Sequence, residues 1–181
     1  MPRYLAFLRA INVGGHNVKM DALRQLFESL GFSAVETFIA SGNVIFETTA
    51  RNPPTLEAKI EAELRKSLGY AVDTFLRTPA ELAAIAAYRP FPQARLDAAG
   101  ALNVAFLAAP LDAAAKRKLA GFKTEIDDFT AHAREVYWLC LKKQSESTFS
   151  NAVFEKALGV RATWRGISTV QKMAAKYATG M

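Results

Sequence analysis

The sequence predicts an α+β fold: two ferredoxin-like βαββαβ repeats in one chain, followed by an additional C-terminal helix. Three observations predict it. The order strand, helix, two strands, helix, strand can be read twice along the chain from hydrophobic periodicity. The helices of both repeats end on an apolar residue followed at once by glycine, in Leu30-Gly31-Phe32, Leu68-Gly69-Tyr70, Ala120-Gly121-Phe122 and Leu158-Gly159-Val160. Glycine there serves as a helix stop. Finally, Gly31 and Gly69 are 38 residues apart, and so are Gly121 and Gly159, so pattern and register repeat together.

In the first half, Tyr4 to Ala10 is a short apolar strand, and Met20, Leu23, Phe27 and Leu30 recur at helical spacing. Val35 to Ala40 and Val44 to Thr48 are β-rich runs joined by the turn Ser41-Gly42-Asn43. Asn52 before Pro53 opens a helix with the stripe Leu56, Ile60, Leu64 and Leu68, and Ala71 to Arg77 returns as a strand. Thr78-Pro79-Ala80-Glu81 has the form of a capping box and starts a connecting helix. The Pro-containing stretch 89–100 reads as a linker, dividing residues 1–88 from residues 101–181.

In the second half, Leu102 to Ala108 is a strand and Leu111, Ala115 and Leu119 mark a helix. Thr124 to Thr130 and Glu135 to Leu141 form a hairpin, Phe149, Val153, Ala157 and Leu158 a helix, and Val160 to Trp164 a last short strand. The final helix, Ile167 to Tyr177, is expected to pack through Ile167, Val170, Ala174 and Tyr177.

Composition narrows the class. A chain of 181 residues that is 51% hydrophobic can bury one sizeable core or two small ones. The lone cysteine, Cys140, excludes an intrachain disulfide framework, and its apolar run from Val136 to Leu141 makes it an inert core thiol. That usage, with an N-terminal apolar stretch too short for a signal peptide and no run approaching a membrane span, points to the cytoplasm. The net charge of +6 is uneven: residues 142–181 hold seven Lys or Arg against Glu146 and Glu155. Such a region attracts phosphate-bearing partners or simply forms a solvated face.

The repeat exposes one asymmetry. The first half inserts a long loop, Arg9 to Lys19, before its first helix, whereas the second passes from strand to helix through little more than Ala109-Pro110. In a βαββαβ sheet this loop lies at the same end as the Ser41-Gly42-Asn43 turn. Asn12, Gly14, Gly15 and Lys19 are thereby expected near Ser41, Gly42 and Asn43. Two glycines that admit a ligand to the backbone, the cations Arg9 and Lys19, and a helix N-terminus beyond describe an anion site. The competing reading is a long loop in which Gly-Gly only turns and the asparagines bond local backbone. Neither the dinucleotide fingerprint nor the P-loop spacing is present.

Other residues offer less. His16 and His132 have no metal-ligand spacing, so no metal is expected, and His16 is the one loop side chain of the type that serves as a general base. Trp164 and Arg165 form a secondary candidate: Trp164 either stacks on a base or ring, or closes the core at a strand end.

Tyr4-Leu5-Ala6-Phe7-Leu8-Arg9-Ala10-Ile11-Asn12-Val13-Gly14-Gly15, Lys19-Met20, Leu23-Arg24, Phe38-Ile39-Ala40-Ser41-Gly42-Asn43-Val44, and the late Thr163-Trp164-Arg165 with Thr169 together resemble the bacterial family called domain of unknown function 1697. The likeness runs end to end. Two positions depart from the family pattern: Ala10 stands where glycine is usual, and Arg165-Gly166-Ile167 replaces Arg-Asn-Trp. The resemblance implies the same two-repeat ferredoxin-like fold and carries no established activity. The functional expectation is thus a cytoplasmic binding protein for an anionic small molecule or a nucleic-acid phosphate. A small enzyme using the same loop, or an interaction module without a small-molecule site, are the alternatives, and cofactor and oligomeric state are left open.

Overall fold

A computed structural model describes residues 1–12, 15–39 and 42–178. The chain is a mixed α+β protein with two four-stranded antiparallel sheets and, among the described residues, seven helices. It divides into two compact units, one covering Met1–Leu82 and one starting at Ala83.

The first unit contains β1 (Arg3–Leu8), α1 (Met20–Ser29), β2 (Ser33–Thr37), β3 (Asn43–Glu47), α2 (Pro53–Leu68) and β4 (Thr74–Arg77). The strand order is β2-β3-β1-β4, with every pairing antiparallel. Alternation along β1 sends Tyr4, Ala6 and Leu8 into a core with Val44, Phe46 and Leu76 from the sheet, Leu23 and Phe27 from α1, and Leu56, Ile60 and Leu64 from α2. The opposite face is apolar too: Leu5, Phe7, Ile45 and Phe75 are all buried. This is why β1 reads as a continuous apolar run and not as an alternating one.

Local chemistry explains the helix ends. Asn52 accepts the Thr55 N–H at 3.2 Å and Pro53 follows it, so α2 begins where side-chain capping and a fixed φ coincide. It ends on Gly69 at φ +84°. The expected apolar stripe of α1 is narrower than its spacing suggested: Leu23 and Phe27 are buried, whereas Met20 is exposed and Leu30 half-buried. Helix α3 (Pro79–Ala87) is opened by the predicted capping box, with the Thr78 N–H donating to Glu81 Oε2 (2.8 Å) and the Glu81 N–H to Thr78 Oγ1 (3.1 Å).

The second unit contains α4 (Gln93–Ala98), β5 (Ala101–Phe106), α5 (Ala113–Ala120), β6 (Asp127–His132), β7 (Glu135–Cys140), α6 (Asn151–Leu158), β8 (Thr163–Gly166) and α7 (Ile167–Tyr177). The sheet order is β6-β7-β5-β8, again antiparallel throughout. Helix α4 lies within the stretch read as a linker, and its Arg95 pairs with Asp128 of β6. Ser150 accepts the Val153 N–H and starts α6 at Asn151, which turns Phe154 and Leu158 inward and leaves Val153 exposed. A stripe counted from Phe149 places Val153 inside, and the cap at Ser150 turns it out. Helix α7 has the predicted bounds, but it buries Val170, Met173 and Tyr177, with Ile167 and Ala174 only half-buried. Gly121 caps α5 at φ −68°, so that stop is not left-handed. Cys140 is fully buried, and burial pushes its thiol pKa up.

Candidate functional site

The end of β1 and the turn before β3 do meet. The Leu8 N–H donates to the Gly42 carbonyl at 2.9 Å. Gly42 sits at φ +81° with no room for a side chain, since a Cβ there would lie 2.8 Å from Ile11 Cγ2 and 3.1 Å from Leu8 Cβ. The turn is longer than the sequence suggested. β2 ends at Thr37 because Ile39 takes φ +62°, outside the strand region.

Several predicted site residues are committed to protein groups. Asn43 is buried and its Nδ2 donates to the Phe38 carbonyl at 2.9 Å, while the Phe38 N–H returns a bond to the Asn43 carbonyl. Asn12 Oδ1 accepts the Val18 N–H at 2.7 Å and so closes the loop across six residues. Arg9 Nη1 is 3.6 Å from Asp73 Oδ2, and its backbone N–H bonds the Asp73 carbonyl. Both asparagines thus hold backbone, as the competing loop reading expects. Gly15 (φ +85°) and Lys19 are exposed, with Lys19 at the N-cap of α1 making no side-chain cap bond. Gly14 and Ser41 lie outside the described residues.

Two aromatic residues complete this end of the unit. Tyr70 donates its hydroxyl to the Ile11 carbonyl at 2.9 Å, and its ring stacks on His16 with centroids 3.7 Å apart. Burial raises the Tyr70 phenol pKa. Tyr70 was legible only as the residue after a helix-stopping glycine, so nothing in the sequence marked it as a partner of the loop.

At the far end of the same sheet, Thr49, Arg51, Thr55 and Lys59 line a cleft of about 390 Å³ between the end of α1 and the start of α2. Lys59 Nζ donates to the Leu30 carbonyl at 3.2 Å and lies 5.6 Å from the Phe32 ring centroid.

In the second unit, the secondary pair separates by environment. Arg165 is buried and donates through Nη1 to Thr163 Oγ1 (2.7 Å) and the Trp164 carbonyl (2.8 Å); desolvation pulls its pKa down to about 10. It is a structural group of the sheet. Trp164 is half-buried and donates its indole N–H to Asn151 Oδ1 at 2.8 Å. Its ring stands nearly perpendicular to Trp138 at 6.0 Å and to Phe149 at 5.8 Å, an edge-to-face arrangement. These three rings wall a cleft of about 650 Å³ whose mouth carries Gln144, Ser145 and Asn151.

One buried carboxylate organises that wall. Asp127 accepts the Trp138 indole N–H, the Thr124 hydroxyl and the Ser147 hydroxyl, each at 2.9 Å. Ser147 Oγ in turn accepts the Phe149 N–H at 3.0 Å. The sequence hid this cleft because Trp138 reads as one residue of the apolar run around Cys140, and Asp127 as one polar residue of a hairpin strand.

Among the described residues no group of three or more His, Cys, Asp or Glu is placed to hold a metal ion, and no helix is long and apolar enough to cross a membrane.

No curated protein sequence matches the chain. Among solved structures, the conserved bacterial protein SP0830 from Streptococcus pneumoniae is similar over 96% of this chain and 97% of its own, with a TM-score of 0.77 and 21% sequence identity. That likeness extends to the fold. A family model described as "Protein of unknown function (DUF1697)" matches residues 1–137, which include the whole of the first unit, its loop and turn, and the second sheet as far as Tyr137 of β7. The chain therefore belongs to the DUF1697 family.

Proposed function

We propose that this protein binds an anionic ligand, a small phosphate or carboxylate compound or a nucleic-acid phosphate, at the β1–α1 end of its first unit. One observation carries the reading. Of the four described residues with side chains in the left-handed region, Ala10 at φ +55° and Ile39 at φ +62° flank the Leu8–Gly42 contact, while Ala34 and Ala133 lie elsewhere. For a β-branched residue such as Ile39 that conformation is a true outlier. Strain of this kind persists where surrounding structure enforces it, and it concentrates at binding sites.

In this reading the asparagines are scaffold and not ligands. Asn12 and Asn43 fix the backbone, and the exposed Gly15 and Lys19 at the start of α1 meet the anion, where the helix N-terminus adds favourable partial charge. The proposal extends to the architecture: the two halves are ferredoxin-like copies of one βαββαβ unit, of which the first alone carries the long loop. The parallel sheet orders and the matched registers Leu5–Arg77 and Val104–Arg165, each setting a buried arginine against a central-strand aliphatic, support this.

The test is a thermal-shift screen with nucleotides, sugar phosphates and dicarboxylates, joined to DNA and RNA binding at two salt concentrations, on the parent, Lys19→Ala and Lys59→Ala. Stabilisation by an anion that Lys19→Ala abolishes and Lys59→Ala preserves is the expected result. Loss with Lys59→Ala alone would transfer the site to the far cleft and overturn the loop assignment. No response to any member of the screen would overturn anion binding itself.

A further inference from the structure

We infer that the aromatic cleft of the second unit binds an uncharged saccharide. This is independent of the anion site, because every residue involved belongs to the second unit.

The inference starts from what the walls can offer. Trp138 and Trp164 are the chain's two tryptophans, and both line the cleft. Their indole N–H groups are already donated to Asp127 and Asn151. The rings are thereby fixed in orientation; Trp138 is almost fully buried, so the half-buried Trp164 presents most of the accessible carbon surface. A pyranose ring matches such a wall: its C–H faces rest on aromatic carbon while its hydroxyls reach the rim. The rim is suited to hydroxyls, since Gln144, Ser145 and Asn151 supply neutral amide and hydroxyl groups, which can both donate and accept.

Charge decides against an anionic occupant. No Lys, Arg, Asp or Glu is among the described residues that line the cleft. A phosphate or carboxylate entering it would lose hydration without gaining a counter-charge, whereas a neutral polyol exchanges one set of neutral hydrogen bonds for another. The volume of about 650 Å³ lies within the range of small-molecule sites and accommodates one or two sugar rings. The wall is also pre-set, because the Asp127 carboxylate holds Trp138 and Ser147, and Ser147 holds the backbone at Phe149.

The experiment titrates the full chain with maltose, cellobiose and N-acetylglucosamine, with adenosine and glucose 6-phosphate as contrasts, following the two indole N–H signals by NMR. A saturable shift of the Trp164 signal with at least one of the three neutral sugars is expected. Trp164→Leu should weaken that binding by about tenfold or more. Because Trp164 also packs against Phe154, a second variant guards against misfolding. Ser145→Leu, on an exposed turn at the mouth, should abolish binding with an unchanged melting temperature. The inference is overturned if none of the three sugars moves either indole signal, if adenosine or glucose 6-phosphate binds more tightly than all three, or if binding survives Ser145→Leu.

Discussion

Tyr70 and Ile11, 59 residues apart in sequence, are joined by a 2.9 Å hydrogen bond from the phenol to the backbone carbonyl, and through it the loop after β1 is fastened to the segment that follows α2. Removing the phenol leaves a half-buried carbonyl without this donor, so Tyr70→Phe should lower stability by about 0.5–1.5 kcal/mol in denaturant unfolding at neutral pH. A variant as stable as the parent would show that the bond contributes nothing.

The same bond gives a pH dependence. Burial raises the phenol pKa in the folded protein, so the native state holds this proton more tightly than the unfolded chain does. The stabilisation is fully present below the unfolded phenol value of about 10 and is lost as the pH rises above it. Amide hydrogen exchange of residues 15–19 should therefore accelerate above that pH beyond its intrinsic base catalysis in the parent, and show no such extra step in Tyr70→Phe.

Ala10 holds φ +55°, in the left-handed region where an alanine side chain is strained. Relieving a left-handed alanine is worth about 1 kcal/mol, partly offset by the added freedom of glycine in the unfolded chain. Ala10→Gly should consequently raise the melting temperature or leave it unchanged; a clear decrease would contradict the strain assigned to this residue.

Glycines 15 and 42 separate two costs that usually occur together. Both have positive φ, but a Cβ at Gly15 meets nothing within 4 Å, whereas one at Gly42 would collide with Ile11 and Leu8. Gly15→Ala should cost about 1 kcal/mol, the backbone penalty alone. Gly42→Ala adds overpacking and should cost about 2–4 kcal/mol. Parallel denaturation curves check the order, and equal costs would refute it.

Asp127 gathers three donors from Thr124, Trp138 and Ser147. Asp127→Ala strands them in a buried site and should cost about 3 kcal/mol or more, with a red-shifted tryptophan emission as water reaches the Trp138 edge. An unshifted spectrum would mean that the wall keeps its form without the carboxylate.

The parts of this molecule governed by local rules were legible in its sequence. The α2 cap at Asn52, the capping box at Thr78 and Glu81, and the bounds of α7 follow from nearest-neighbour chemistry. The approach of the β1–α1 loop to the turn before β3 followed from sheet connectivity. What escaped was set by tertiary contact. The end of β2 depends on the left-handed Ile39, the inward face of α6 on where Ser150 starts the helix, and the aromatic cleft on a carboxylate that reaches across three segments. Near the proposed anion site, connectivity accounts for the meeting of Leu8 with Gly42, whereas the roles of Asn12 and Asn43 depend on which backbone groups happen to face them.

Trp138 and Trp164 both belong to the unit that begins at Ala83, and the other unit contains no indole. Tryptophan emission is accordingly a private signal of one half of the chain, while backbone circular dichroism averages over both. Superimposable unfolding curves from the two probes would identify the halves as a single cooperative block. A gap between their midpoints would measure directly how much stability each half holds on its own.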